Sequence, residues 1–287
     1  LHHDPVLVAA ALGALRMSHK LRSNLGHLLL HIVLLSIGVI FLLPFVWSVS
    51  TSLKPMADLF QVTPNLIPSQ IRWANYQDVL DYVPFARIYA NTIIVTILRV
   101  IGQVFLASLA AFAFSRMQFP GRDFLFFLLL AGLMVPQQVL MIPNYAMMRQ
   151  VGWLDTYQGL VVPLLFSSFG VFLLRQYFLS IPADFQEAAT LEGANPFQIY
   201  WQIYLPLARP ALAAFAFLVI QWSWNEFLWA LIMTSRTEMQ VLSVGVALFQ
   251  GQYFTNNALL MAAANMATIP VLLLFLFFQR QLVEGIT

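Results

Sequence analysis

Residues 28–49 read LLLHIVLLSIGVIFLLPFVWSV, an apolar run without a single Asp, Glu, Lys or Arg. The run lies inside a longer stretch, residues 23–53, that also lacks all four charged residue types. A membrane-spanning helix needs roughly 20 consecutive, mostly apolar residues. Three further stretches, 124–148, 156–174 and 239–279, share this property. The sequence therefore predicts a protein that crosses a membrane several times.

The overall composition agrees with that prediction. Of the 287 residues, 60% are hydrophobic and only 9% are charged, whereas soluble proteins are roughly a quarter charged. The absence of cysteine excludes disulfides, cysteine-ligated metal sites and thiol catalysis. The net charge of +2 and the scattered basic residues give no sign of nucleic-acid binding. A lipid bilayer is the expected surrounding of most of the chain.

The apolar windows predict six membrane-spanning helices, and the expected fold is an all-α polytopic membrane protein. Two of the predicted spans contain an interior charge, Arg99 in the second and Glu226 in the fifth. The spans are Leu28 to Val49, Ile88 to Phe114, Phe124 to Met148, Tyr157 to Phe178, Pro210 to Met233 and Leu259 to Phe278.

The distribution of basic residues predicts the orientation, because cytoplasmic loops carry an excess of Lys and Arg. With the N-terminus inside, eight basic residues lie in inner segments and five in outer segments. We therefore expect a protein of the bacterial cytoplasmic (inner) membrane with both termini cytoplasmic. The predicted parts are an N-terminal tail (1–24), a first transmembrane helix (25–53), an outer loop (54–87), a core domain (88–280) with an inner loop (179–208), and a C-terminus (281–287). Aromatic residues in the outer loop favour an ordered cap over a simple connector.

The inner loop, residues 179–208, is predicted to form a helix-turn-helix. Ser180 is the expected N-cap of its first helix, with Pro182 in the first turn. Gly193 is expected to end that helix, and Asn195-Pro196 to start the second. Pro206 is expected to stop the second helix.

This loop also carries a sequence motif. The residues match the pattern E-A-A-x(3)-G-x(9)-I-x-L-P at Glu187, Ala188, Ala189, Gly193, Ile203, Leu205 and Pro206. By this motif the chain resembles the permease subunits of ATP-binding-cassette importers. The resemblance implies that the loop couples the membrane helices to cytoplasmic ATPase subunits. It also implies a second, non-identical permease subunit, two copies of the ATPase subunit and an extracytoplasmic solute-binding protein as partners.

Other segments are similar to the carbohydrate (maltose-type) branch of that family. They are Ser52-Leu53-Lys54-Pro55, Asn75-Tyr76, Asn91-Thr92, Ala110 to Arg116, Trp224 to Trp229, Gln279-Arg280 and Gly285-Ile286-Thr287. The resemblance implies transport of a sugar or sugar derivative by alternating access. The sequence contains no G-x-x-x-x-G-K-[ST] phosphate-binding loop, so ATP and Mg²⁺ are expected in the partner ATPase subunits and no catalytic residue in this chain. Because the sequence ends at Thr287, we expect no C-terminal tail that contacts the ATPase.

Polar residues in the predicted spans are candidates for a substrate path, because ionisable groups in a membrane usually face a wet cavity. The candidates are Asn225, Glu226, Trp222, Trp224, Trp229, Asn144 and Asn91. The alternative is structural: Glu226 pairs with Arg99 or with a partner's cation, while the tryptophans pack or sit at the membrane interface. Pro136, Pro143 and Asn144 predict a kink in the third span, favoured over a complete break.

One competing function remains open at this point, an ion- or proton-coupled secondary transporter with Arg99 and Glu226 as its relay. Such transporters usually contain internal repeats, and the two halves of this sequence show no clear repeat. His27 and His31 are one helical turn apart but lack the Glu of the His-Glu-x-x-His pattern. No metal site is expected.

Overall fold

The computed structural model describes the backbone of residues 5–61, 63, 65–251 and 255–284, and the side chains of these residues except 5–25, 278 and 280–284. The described residues form helices and turns and contain no β-strand. The ends of the predicted N-terminal tail and C-terminus, residues 1–4 and 285–287, lie outside the described residues. The similarity at Gly285-Ile286-Thr287 therefore has no structural counterpart here.

The helices of the described residues vary from one turn to thirteen turns in length. In chain order they are α1 (Pro5–Ser52), α2 (Ala74–Tyr82), α3 (Phe85–Arg116), α4 (Arg122–Ala131), α5 (Met141–Val151), α6 (Tyr157–Val161), α7 (Ser168–Ser180), α8 (Asp184–Leu191), α9 (Pro196–Ile199), α10 (Leu205–Leu207), α11 (Arg209–Trp224), α12 (Leu228–Met233), α13 (Leu242–Ala247) and α14 (Asn257–Glu284). Short 3₁₀ turns lie at Met56–Phe60, Gly132–Met134, Gln137–Leu140, Val162–Leu164 and Thr237–Met239, and a π-helical turn at Tyr200–Tyr204.

Three of these helices are long and apolar enough to cross a membrane by themselves: Gly26–Ser52 within α1, α3, and Asn257–Phe277 within α14. Three more candidate spans are pairs of helices joined at a bend. The bends measure 91° between Arg122–Met134 and Gln137–Val151, 48° between Tyr157–Leu164 and Ser168–Ser180, and 79° between Pro196–Leu207 and Arg209–Trp224. The described residues therefore provide three to six candidate spans in an all-helical fold.

The expected simple kink in the third span is wrong, because the 91° bend is a complete break. The backbone at Val135 and Pro136 is extended, with ψ angles of 116° and 131°. Proline forces this change because its ring disfavours a helical conformation in the residue before it and removes a hydrogen-bond donor. Pro143 lies in the first turn of α5, where a missing N–H has no cost, and it breaks nothing.

The predicted fifth span, Pro210 to Met233, is also interrupted. Helix α11 ends at Trp224, and α12 begins four residues later at Leu228. The side-chain amide of Asn225 donates to the carbonyl of Gln221 at 2.8 Å. Such local side-chain bonds compete with helix continuation and favour a terminus. The interruption places Asn225 and Glu226 on non-helical backbone.

Helix α3 forms the centre of the structure and packs along α7 and α11. The largest buried cluster joins these three helices to loop 179–208. Its aromatic members are Phe112, Phe178, Tyr200, Tyr204 and Phe215, all at most 4% exposed. The core thus connects the loop directly with the membrane helices.

The segment between α1 and α3 is ordered. The buried amide of Asn75 donates to the carbonyls of Ser52 and Lys54 at 2.8 and 2.9 Å. The backbone N–H and hydroxyl of Ser69 donate to the Asp58 carboxylate, and these bonds hold the pKa of Asp58 below its ordinary value. Helix α2 packs on α14. These contacts agree with the expected ordered cap rather than a simple connector.

Most of the described surface of helix α1 is exposed. It packs on α14 near its C-terminal end, where the Ser48 hydroxyl donates to Asn265 at 2.7 Å. Every leucine, isoleucine, valine and phenylalanine from Leu28 to Leu43 is at least 44% exposed. This surface is available to lipid or to another subunit.

Candidate functional site

Loop 179–208 contains the expected pair of helices, but its start differs from the prediction. Ser180 is the last residue of α7, and its hydroxyl donates to the carbonyl of Tyr177. Helix α8 begins at Asp184, after Ala183, without a side-chain cap. The predicted N-cap at Ser180 is therefore wrong, because α7 extends two residues beyond its predicted end at Phe178 and includes Ser180. Pro182 precedes the helix and does not lie in its first turn.

The turn and the second helix agree more closely with the sequence. Gly193 has a φ of +86°, a left-handed conformation that glycine adopts without strain, and it ends α8. Asn195 caps the second helix in a capping box with Gln198, with hydrogen bonds of 2.9 and 2.8 Å. The helical segment does not stop at Pro206 but ends at Leu207. A π-helical turn just before Pro206 accommodates a residue that lacks a backbone N–H.

One side of loop 179–208 is exposed and unusually apolar. Leu191 is 90% exposed, Phe197 62% and Trp201 54%. The rings of Phe197 and Trp201 stack at a centroid distance of 6.2 Å. Glu187 is also exposed. We call Glu187, Leu191, Phe197 and Trp201 the docking surface, because exposed apolar clusters of this kind are typical of interaction sites.

The motif residues divide between this surface and the core. Ala188 is exposed and Ala189 partly buried, so α8 presents small side chains next to Glu187. Ile203 and Leu205 pack against the buried aromatic cluster. The motif alone did not identify Leu191, Phe197 or Trp201. Phe197 and Trp201 are one helical turn apart in the sequence, and this spacing predicts a shared face that the sequence analysis missed.

A cavity of about 850 Å³ lies between the breaks in the third and fourth candidate spans and the interruption between α11 and α12. Its size lies within the range of ligand pockets, roughly 300–1,000 Å³. The wall mixes amides, a carboxylate, a guanidinium and aromatic rings. The polar and aromatic residues that line it include Arg99, Gln103, Gln137, Asn144, Phe169, Gln221, Trp222, Asn225 and Glu226. Five residues singled out from the sequence thus come together here: Arg99, Asn144, Trp222, Asn225 and Glu226.

Two of the predicted path tryptophans lie outside this wall. Trp224 is 7% exposed, and its indole N–H donates to the carbonyl of Ala267 at 3.1 Å. Trp229 is 3% exposed, and its indole N–H donates to the carbonyl of Gly159 at 3.1 Å. Trp229 also borders a small cavity of about 60 Å³. Both rings have packing partners within the chain.

Asn91 is fully buried and lies outside the large cavity. Its amide donates to the carbonyls of Glu238 and Gln240 at 2.8 and 2.9 Å. Its side-chain oxygen accepts a hydrogen bond from the Tyr157 hydroxyl at 2.7 Å. Asn91 therefore joins the start of α3 to two separate segments of the chain.

Arg99 binds a backbone carbonyl beside the bend in the fourth candidate span. Its Nη2 and Nε donate to the carbonyl of Leu160 at 2.7 and 3.2 Å. One turn further along α3, the Gln103 amide donates to the carbonyl of Leu164 at 2.5 Å. These carbonyls flank Pro163, at a break where helical bonds are lost. Backbone groups inside a membrane must find partners within the protein, and α3 supplies them.

Arg99 and Glu226 line the same cavity but form no ion pair. The salt bridges within the described residues join Arg72 to Asp78, Arg122 to Asp123 and Arg236 to Asp155. Of the two structural alternatives for Glu226, the salt bridge with Arg99 is therefore not formed, and the pairing with a partner's cation stays a prediction.

One carboxylate oxygen of Glu226, Oε1, accepts the backbone N–H of Trp229 at 3.0 Å and caps α12. The other oxygen, Oε2, has no hydrogen-bond partner among the described side chains and backbone groups. It is free to accept a donor from a ligand or a partner subunit.

No group of His, Asp and Glu residues in the described part of the chain is arranged to hold a metal ion. His31 contacts the carbonyl of His27 through Nδ1 at 2.6 Å, which is a contact within one helix.

Comparison with known proteins adds three findings. Residues 103–287 match the family described as "Binding-protein-dependent transport system inner membrane component". A probable ABC transporter permease protein of Pyrococcus horikoshii is 34% identical over 265 residues, which cover 90% of this chain and 95% of that protein. The arabinooligosaccharide transport system permease protein AraQ of Halalkalibacterium halodurans is 31% identical over 262 residues, covering 88% and 94%.

Solved structures give the same picture. The chain is similar to one chain of a bacterial ABC transporter involved in the import of the acidic polysaccharide alginate, with a TM-score of 0.79 and 30% sequence identity. The similarity covers 88% of this chain and 95% of that one.

Proposed function

Because this chain belongs to the family of inner-membrane components of binding-protein-dependent transport systems, we propose that it is the permease subunit of an importer that moves a sugar or sugar derivative. The observation that carries the proposal is loop 179–208, in which the importer motif coincides with an exposed, apolar docking surface. The relatives named above support the substrate class, since one is named for arabinooligosaccharides and another for alginate.

The proposed topology has six spans in the bacterial cytoplasmic membrane: α1, α3, the first two bent helix pairs, the segment Pro210 to Met233, and α14. Both termini and loop 179–208 lie on the cytoplasmic side. The excess of basic residues in the inner segments supports this orientation. The proposed parts remain tail 1–24, first helix 25–53, outer loop 54–87, core 88–280 and C-terminus 281–287.

The docking surface is proposed to bind a cytoplasmic ATPase subunit. Leu191, Phe197 and Trp201 supply apolar area that a partner can bury, and the alanines next to Glu187 permit close approach. Gly193 fixes the angle between the two helices of the loop. The segment that contains Ile203, Leu205 and Pro206 joins the second helix of the loop to α11. The angle between the two loop helices therefore determines how the loop leads into α11. Movement of the ATPase subunits thereby changes the arrangement of the membrane helices, which is the basis of alternating access.

The partners follow from this arrangement. Two ATPase subunits bind and hydrolyse ATP with Mg²⁺, a second and non-identical permease subunit completes the membrane part, and an extracytoplasmic binding protein delivers the solute. The exposed apolar surface of α1 supports contact with lipid or with the second permease. This chain itself is proposed to have no catalytic residue.

The cavity of about 850 Å³ is proposed as this subunit's part of the substrate path. Sugars present both hydroxyl groups and apolar ring faces. No hydrogen bond joins the side chain of Asn144 to another described residue, so its amide is available for a hydroxyl. The free oxygen of Glu226 is a second acceptor, and Trp222, which is 48% exposed, offers an aromatic face. Asn225 is a further polar residue that lines the cavity.

The contacts of Arg99 do not favour an ion-coupled secondary transporter. A relay needs Arg99 and Glu226 to exchange a proton or an ion, yet they form no ion pair. The guanidinium instead binds a backbone carbonyl.

Two glycines provide a matched test of the docking role. Gly193 and Gly152 both end a helix with positive φ, +86° and +76°, and a Cβ on either meets no atom within 4 Å. Alanine therefore costs each position a similar amount, about 1–2 kcal/mol. We expect Gly193→Ala to abolish solute-stimulated ATP hydrolysis by the assembled transporter, while Gly152→Ala keeps it. Equal activity of the two variants, or uptake that persists without an ATPase subunit, would reject the proposal.

A second variant tests the path. Glu226→Gln keeps the size of the side chain and its bond to Trp229 but removes the charge. We expect it to reduce solute uptake while copurification of the ATPase subunit stays normal. Uptake at the wild-type rate would eliminate Glu226 from the path.

A further inference from the structure

Arg116, the last residue of α3, joins three elements at one point. Its Nη2 donates to the carbonyls of Phe178 and Ile181, each at 2.5 Å. These carbonyls lie at the end of α7 and at the first residue after it. The side chain therefore fixes the end of α3 to the short connection that leads into α8.

The same side chain also contacts the second half of loop 179–208. Its guanidinium lies over the ring of Tyr204, 5.0 Å from the centroid. The Tyr204 ring is fully buried and packs edge-on against Phe112 and Phe178, at 5.2 and 5.6 Å. This ring belongs to the π-helical turn that precedes α10.

Two further hydrogen bonds close the arrangement into a ring of contacts. The Tyr204 hydroxyl donates to the side-chain oxygen of Gln186 at 3.2 Å. The Gln186 amide donates in turn to the backbone carbonyl of Arg116 at 3.4 Å. Gln186 lies on α8, next to Glu187 of the docking surface. Both helices of the loop are thus connected to the end of α3.

We propose that Arg116 is a positioning residue that locks loop 179–208 to the ends of α3 and α7, so that force on the docking surface reaches the membrane helices. The inference rests on the proposed function, because it requires a partner that pulls on the loop. Helix α8 is joined to α7 by residues 181–183 and to α9 by the turn at Gly193. Without the ring of contacts, movement of α8 would be absorbed at these points.

A recess of about 510 Å³ lies beside this ring and is lined by Arg116, Arg122, Gln186 and Glu187, among others. The recess is open, so the ring lies directly under the surface that a partner would cover. From the sequence, Arg116 was only one of the eight inner basic residues that set the orientation. Its contacts indicate a second task.

Arg175 offers a matched control. It is also a basic residue of an inner segment, and its Nε donates to the carbonyl of Phe114 at 3.2 Å while its guanidinium lies 4.1 Å from the centre of the Phe126 ring. Its hydrogen bond and its ring contact therefore join α7 to α3 and α4. Neither of these two contacts involves a residue of α8, α9 or α10. Replacing Arg175 removes one charge and one link at the same end of the bundle without loosening the loop.

The test uses the permease assembled with its ATPase partners and compares Arg116→Met with Arg175→Met. Methionine keeps the apolar stem over Tyr204 and removes the donors. Amide hydrogen exchange is followed with and without Mg·ATP and vanadate. In the wild type and in Arg175→Met, we expect the nucleotide to change exchange in residues 184–207 and also in residues 105–116 and 168–180. In Arg116→Met, we expect the change at 184–207 to persist and the change in the two membrane segments to fall at least fivefold.

ATP hydrolysis gives a second readout. Basal hydrolysis of Arg116→Met should stay within twofold of the wild type, and Arg116→Lys should restore part of the signal in the membrane segments. If Arg116→Met fails to assemble, Tyr204→Phe replaces it, since this variant removes only the hydroxyl that binds Gln186. A nucleotide response in the membrane segments equal to that of the wild type would overturn the role of Arg116. A wild-type chain that binds no ATPase subunit would instead overturn the proposed function.

Discussion

Replacing Asn91 should destabilise the protein without changing how it holds its solute. Asn91→Leu keeps the approximate volume of the side chain but removes three hydrogen bonds, to two carbonyls and one hydroxyl. All three groups would be left without that partner at a site where Asn91 itself is 0% exposed. Each lost bond costs about 1 kcal/mol in a folded protein, and measured values in membrane proteins are similar or smaller. The expected loss is therefore about 3 kcal/mol.

The assay is thermal unfolding of the purified protein in detergent. For a chain of this size, about 1 kcal/mol corresponds to roughly 2–4 °C in the unfolding temperature, so the expected decrease is roughly 6–12 °C. Asn144→Leu is the matched control, because Asn144 makes no hydrogen bond to a described residue and lines the large cavity. We expect that variant to unfold within about 2 °C of the wild type and to bind solute less tightly.

The opposite pattern would refute this reasoning. If Asn91→Leu unfolds at the wild-type temperature and raises the KM for uptake, Asn91 belongs to the substrate path after all. If Asn144→Leu is the less stable of the two, the buried bonds of Asn91 do not contribute what the structure implies.

Two further variants test packing around the interrupted spans. A Cβ at Gly170 would lie 2.1 Å from Cζ of Phe215, whose ring is fully buried. Gly170→Ala should therefore lower the free energy of unfolding by about 1–3 kcal/mol. Gly38→Ala meets no atom within 4 Å and lies inside α1, so it should leave that free energy unchanged or raise it by up to about 1 kcal/mol. Trp229→Phe removes the only indole donor to the carbonyl of Gly159 and should cost about 1–2 kcal/mol, with copurification of the ATPase subunit unchanged. Chemical unfolding in detergent measures both effects, and an unchanged midpoint for Gly170→Ala or Trp229→Phe would contradict the corresponding contact.

Features that depend on neighbouring residues could be predicted from the sequence. The gaps between charged residues located α1 and α14, and hydropathy together with the flanking residues located α3, because membrane insertion is decided by local hydropathy. The capping box at Asn195 and the left-handed turn at Gly193 were likewise predictable, since both satisfy backbone groups within a few residues. The start of α8 was not, because α7 continues to Ser180, whose hydroxyl binds the carbonyl of Tyr177 instead of capping α8.

Features that depend on distant residues were not predictable. The sequence placed Arg99 in a span and offered Glu226 as its partner within the chain. Its actual partner, the carbonyl of Leu160, is 61 positions away and is free only because the backbone breaks beside Pro163. Whether a proline kinks a span or breaks it depends on side chains of other helices that can bind the freed carbonyls.

The breaks in the spans also explain why the apolar bundle contains some polar side chains with a hydrogen-bond partner and others without one. A broken span frees carbonyls, and each freed carbonyl needs a donor inside the membrane. Arg99, Gln103 and Trp229 meet that need, so their donors are occupied. The same breaks open the cavity, where Asn144 and the second oxygen of Glu226 have no partner within the described residues. In the proposed substrate path, the occupied donors stabilise the breaks, and the unoccupied groups are the ones we propose to bind the solute.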